Sequence, residues 1–133
     1  MAMFPERIVM NVAAPVPAVT AEEALRTTMR RLVKGLNGLY GKVLTDLITE
    51  GQSDPAIVRD LYEEHIKIRQ AADVAEIERA KATGEFAADA KPELLVDAIF
   101  GSLFYRHLLH LPLTEQYGDE LIDAALRGVL PRA

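Results

Sequence analysis

Apolar residues recur along this chain every three to four positions, the repeat of a helix that buries one face. No segment alternates with period two for long enough to predict a strand, so the pattern reads as all-α. Ala24, Leu25, Met29, Leu32, Val33 and Leu36 predict a first helix, opened by a capping box between Thr20 and Glu23. The glycines of "GLNGLYG" punctuate its end. Leu39, Val43, Leu44, Leu47, Ile48 and Gly51 mark one face of a second helix. Asp54 and Pro55 then supply a cap and a first-turn proline. The third helix runs from Pro55 to about Thr83, with Ile57, Val58, Leu61, Tyr62, His65, Ile66, Ile68, Arg69 and Ala72 on or beside its inner face. At ~1.5 Å per residue it reaches roughly 40 Å, longer than one small domain needs. Gly84 is its left-handed C-cap. Pro92 begins a fourth helix that stops by Pro112, and Thr114 caps a fifth.

The same pattern divides the chain. Residues 1–19 are irregular, and "APVPAV" reads as a proline-stiffened linker or the remnant of a preceding helix. Residues 20–133 form one domain of five helices. Within it the stretch "FGSLFYRHLLH", Phe100 to His110, departs from one-sided patterning. Phe100, Phe104, His107, Leu108 and Leu111 fall on one side of the fourth helix, and Leu95, Ile99, Leu103 and Arg106 on another. The fifth helix offers a single stripe, Leu121, Ile122, Ala125, Leu126 and Val129, with small Ala124, Ala125 and Gly128 permitting close approach. Five helices of one chain are short of surface to cover a two-sided fourth helix. A second copy is the expected cover.

Composition narrows the function. Half of the 133 residues are apolar, enough for a core, and the net charge of −5 argues against a nucleic-acid surface. The absence of cysteine excludes disulfides and thiolate chemistry and fits a cytoplasmic protein. The run from Ile8 to Val19 is too short for a membrane span and holds Pro15 and Pro17; the run after Leu94 is broken by Asp97, Arg106 and His107.

Candidate chemistry is sparse. His107 and His110 lie three apart, with Asp97 or His65 as conceivable partners, but a zinc site needs three or four converging ligands. Two histidines near a helix C-terminus are explained by its dipole, so no metal and no cofactor are expected. No repeated Glu-x-x-His, phosphate loop, dinucleotide fingerprint or nucleophile elbow occurs, and no enzyme is expected. Tyr62, Ile66 and Arg69 share one side of the third helix. They read either as an aromatic wall with a charged anchor for an anionic ligand, or as core plus a salt bridge.

Four phrases in order resemble the C-terminal half of TetR-family transcriptional regulators: "GKVLTDLITEGQSDP", "EEHIKIRQAADVAEIERAKATGEF", "KPELLVDAIFGSLFYRHLL" and "PLTEQYGDELIDAALRGVL". The resemblance covers roughly residues 20–130. It implies an effector-binding and dimerisation domain whose last two helices form a four-helix bundle with those of a partner copy. It also implies a ligand cavity among the first four helices, lined by Leu32, Leu36, Leu47, Tyr62, Ile66, Arg69, Phe100 and Phe104. The dimer interface it implies comprises Leu103, His107, Leu108, Leu121, Ile122, Ala125, Leu126 and Val129. The implied partners are a second copy, a small hydrophobic effector, and DNA only through an N-terminal helix-turn-helix that these residues do not contain. Lys91 precedes Pro92 where the family often has Asp, so the cap shifts to Asp89 or is weaker. A stand-alone helical dimer that binds or scaffolds a small molecule is the alternative reading.

Overall fold

The structure, a computed structural model, describes residues 20–131. The linker expected at residues 1–19 lies outside them. Helix α1 is Ala21–Leu36, α2 Leu39–Gly51, α3 Pro55–Leu61, α4 Lys67–Thr83, α5 Pro92–Leu108 and α6 Glu115–Arg127. Between α3 and α4, Tyr62–Ile66 forms a π segment with helical backbone on both sides, so the expected third helix is one rod with a wider turn inside it. No strand occurs among the described residues, and the five-helix, all-α expectation is met.

The helix ends follow local chemistry. The Glu23 N–H donates to Thr20 Oγ1 at 3.1 Å, Ala56 N–H to Asp54 Oδ1 at 3.2 Å, and Tyr117 N–H to Thr114 Oγ1 at 3.0 Å. Gly84 closes α4 at φ 85°, the left-handed region where a Cβ is penalised. Lys91 occupies the N-cap position of α5 and gives no side-chain bond; Asp89 does not take its place. The first turn of α1 has a further, tertiary cap. Glu85, just past the C-terminus of α4, accepts from Ala21 N–H at 2.8 Å and Glu22 N–H at 3.0 Å.

α1 is the central element, packed against α2, α4 and α6. Leu25, Met29, Leu32, Val33 and Leu36 bury its inner face against Leu44, Leu61, Ile77, Val96, Ile99, Phe100, Leu103 and Ile122. α6 approaches α1 closely because Gly118 has no side chain: a Cβ there would lie 2.8 Å from Met29 Cγ. The seam is closed by charge. Arg26 pairs with Glu22 at 3.0 Å, Asp119 at 3.4 Å and Asp123, while Arg30 reaches Asp119 at 3.2 Å.

Three expected faces are corrected. In α2 the buried residues are Tyr40, Gly41, Leu44, Leu47 and Gly51, and Leu39 is exposed, because the tight α1–α2 corner turns Tyr40 inward. In the third rod the buried stripe is Leu61, Arg69, Asp73, Ile77 and Ala80; Ile68 and Ala72 face out. In α5 the residues assigned to two sides meet in one core, since Val96, Ile99, Phe100 and Leu103 are all buried.

Candidate functional site

A charged cluster sits inside this apolar bundle. Arg69 is only 5% exposed and Asp73, one turn later on α4, 7%. The Arg69 Nη1 lies 3.5 Å from Asp73 Oδ2, a long contact for an ion pair. Its guanidinium carbon stands 4.4 Å from the centre of the Phe100 ring on α5, within cation–π range. Its Nε and Nη2 are buried and have no hydrogen-bond partner among the described residues. Burial pushes the Asp73 carboxyl up to about 6, against the pull of the Arg69 charge. Burial likewise raises the Tyr40 phenol, while the charge of Arg69 and a hydrogen bond from its guanidinium act in the opposite direction, so Tyr40 is a third member of the cluster.

The residues expected to line one cavity are thus divided. Arg69 and Phe100 come together. Leu32, Leu36 and Leu47 are closed in the core, and Ile66 and Phe104 are half-buried against it. Tyr62 leaves the group. In ordinary α geometry it shares a face with Ile66 and Arg69, but the π segment bonds i to i+5 and adds a residue to the turn. Tyr62 is therefore 42% exposed and stands in a groove of about 530 Å³ with Lys67, Gln70, Ala71, Val74, Glu93, Val96 and Asp97. Asp73 and Tyr40 escaped the sequence reading. The Arg-x-x-x-Asp spacing on a buried helical face was the available signal for the first; Tyr40 carried none beyond its glycine-flanked position.

The residues expected at the interface also separate. Leu103 and Ile122 have no accessible surface and belong to the core of the single chain, so they are unavailable to a partner. His107 is engaged within the chain: its Nε2 lies 2.7 Å from Thr45 Oγ1 and 2.9 Å from the Gly41 carbonyl oxygen. The Thr45 hydroxyl itself donates to that carbonyl, which suits an Nε2–H donor. Leu121, Ala125 and Leu126 are half-buried, Leu108 is exposed, and Val129 lies beyond the end of α6 and is exposed.

Leu108 belongs to a stripe whose other members the sequence reading did not gather. Leu94 is 65% exposed and Tyr105 63%, and with Ala98, Gly101 and Leu108 they follow one another every three or four residues along the outer face of α5. A Cβ on Gly101 would meet nothing within 4 Å. This face is apolar, shallow in its middle and left uncovered by the other described residues. Among the described residues no three metal-capable side chains gather, and no helix is long and apolar enough to cross a membrane.

Comparison with curated proteins found no similar sequence. The fold is that of the crystal structure of TetR family transcription regulator SCO0332, with a TM-score of 0.85 at 22% identity over 92% of this chain and 69% of that one. In sequence, residues 19–125 match the family described as tetracyclin repressor-like, C-terminal domain. The match spans most of the chain, which therefore belongs to that family.

Proposed function

We propose that this chain is the ligand-sensing and self-associating regulatory domain of a TetR-like transcriptional repressor. The observation that carries the reading is that α5 is used on both sides. Inward, Phe100 stacks on a buried guanidinium two of whose nitrogens have no hydrogen-bond partner among the described residues; outward, Leu94, Ala98, Gly101, Tyr105 and Leu108 form an apolar stripe that the other described residues leave exposed. A monomeric soluble protein rarely leaves such a continuous face to water, and a second copy of the same helix is its natural cover. With α6 beside it, the stripe supplies the four-helix arrangement of an isologous dimer, whose buried area is typically ~1,200–2,000 Å².

The Arg69 cluster supports the sensing half. A ligand seated there touches α4 and α5 at once. It acts by binding one relative placement of these helices better than another, and ~1–3 kcal/mol of such difference is ordinary coupling. The displacement reaches α1 through Glu85, which joins the end of α4 to the first turn of α1. Operator reading is assigned to a separate helix-turn-helix, since the acidic helices described here offer no cluster of cations to phosphate.

Sedimentation equilibrium at micromolar concentration tests the reading. The wild-type chain is expected to be a dimer, and Tyr105→Glu a folded monomer, since the substituted side chain is mostly outside the core. A wild-type monomer sinks the self-association half of the proposal.

A further inference from the structure

Arg69 is the buried cation among the described residues, and its charge cannot be shed by deprotonation. The planar guanidinium has two faces and three edges. Phe100 covers one face at 4.4 Å. Asp73 meets Nη1 at 3.5 Å, a long reach, and the guanidinium also donates to the Tyr40 hydroxyl oxygen. The edge formed by Nε and Nη2 is buried and has no hydrogen-bond partner among the described residues. That edge carries two parallel N–H vectors, the fork that matches both oxygens of a carboxylate. Buried donors in native proteins are nearly always satisfied, so a vacant fork nine-tenths enclosed asks for an acceptor.

We propose that the Arg69 cluster is a receptor for a small organic monocarboxylate, its two oxygens on the Nε–Nη2 edge and its apolar body against Phe100 and the α4–α5 seam. The inference rests on the ligand-sensing reading above and adds its chemical class. Charge sets the valence. One buried cation already faces one buried carboxyl, Asp73, and no second buried cation stands among the described residues to balance a dianion such as a phosphate. Asp73 is also a weak competitor, because burial disfavours its ionised form. The apolar body follows from the surroundings: Val96, Ile99, Phe100 and Leu103 are buried on the α5 side, and Ile77 on the α4 side.

An approach is available along the same seam. The groove that holds Tyr62 is lined by Gln70 and Val74, the neighbours of Arg69 and Asp73 in the chain, and by Val96, one turn before Phe100. The π segment lies at its rim, and such segments occur frequently at functional sites. Because the unpartnered nitrogens are fully covered, entry requires α4 and α5 to part slightly, and that opening is the motion a sensor transmits.

The test is isothermal titration of the chain with hexanoate, octanoate, phenylacetate and indole-3-acetate, each beside its own primary amide. At least one acid is expected to bind ~10-fold or more tightly than its amide. Arg69→Met should bring that ratio to about one, while Asp73→Asn, which removes the internal competitor, should tighten the acid. If Arg69→Met does not fold by circular dichroism, the rise in affinity with Asp73→Asn decides. An amide bound as well as its acid, or an acid preference that survives Arg69→Met or falls with Asp73→Asn, overturns the carboxylate receptor and leaves a ligand domain of another class. Binding by neither series overturns the receptor and the sensing reading together.

Discussion

Replacing Asp73 by Asn should stabilise the protein at neutral pH, although it removes half of a buried ion pair. Burial lifts the Asp73 carboxyl from 3.8 to about 6 in the folded chain, even with Arg69 beside it. A carboxyl raised on folding holds its proton more tightly in the native state than in the unfolded one. The wild-type chain therefore loses stability as pH rises from ~4 to ~6, and the loss levels off above the folded value. A shift of that size corresponds to roughly 3 kcal/mol, since each pH unit is worth about 1.4 kcal/mol. Asn has the shape of the protonated acid and none of its ionisation, so the variant keeps the low-pH stability throughout. Urea unfolding followed by circular dichroism, at fixed protein concentration from about pH 4 to 7.5, gives the difference between the two proteins. That difference isolates Asp73 from groups of opposite sign. Asp123, held low by Arg26, loses its contribution as pH falls and does so equally in both chains. The refuting result is a variant less stable than wild type by several kcal/mol at pH 7, as when a net-favourable buried pair is broken.

Other expectations concern the frame around the site. At Gly41 an added Cβ would lie 1.9 Å from the Leu36 carbonyl oxygen, whereas at Gly118 it would press on the flexible Met29 side chain at 2.8 Å and touch Val33 Cγ2 at 3.4 Å. Gly41→Ala should therefore cost at least about 3 kcal/mol in urea unfolding and Gly118→Ala clearly less, within the ~1–3 kcal/mol of ordinary overpacking; equal costs would show the α1–α2 corner to be looser than described. Glu85→Ala removes two bonds at the start of α1. It should lower stability by about 1 kcal/mol, in the range of lost caps, and speed amide exchange in the first turn of α1 ahead of the rest. Unchanged exchange there would separate α4 from α1 and remove the proposed route of coupling.

Much of the fold was legible because its boundaries are set locally. Thr20, Asp54–Pro55, Gly84, Pro92 and Thr114 each act on backbone groups within a few residues, and each ends or begins a helix where the sequence predicts it. What is set by packing was not legible. Periodicity put Tyr62 beside Arg69, and the π segment between them undid that register. The resemblance placed Leu103 and Ile122 at an interface, whereas the packing of the helices closes both into the core of the single chain. Of the outward stripe of α5 only Leu108 was read, for the complementary reason: Ala98 and Gly101 at its centre are too small to register as a hydrophobic face, though smallness is what lets a second helix come close. Arg69 and Phe100 were each chosen from sequence, but only the structure sets the cation on the ring.

The central claim is that the outer face of α5 meets its own copy across a two-fold axis, and the chain is suited to a direct test because it contains no cysteine. Gly101→Cys places a single thiol in the middle of the stripe, where the added atoms meet nothing in the chain itself. Helices packed across such an axis lie ~8–10 Å apart, close enough for facing cysteines near the axis to form a disulfide. Mild oxidation of Gly101→Cys should give a covalent dimer rapidly, while Glu78→Cys, exposed on α4, should remain monomeric on a denaturing gel under the same conditions. Cross-linking of the two variants at equal rates, or none from Gly101→Cys, would contradict the account.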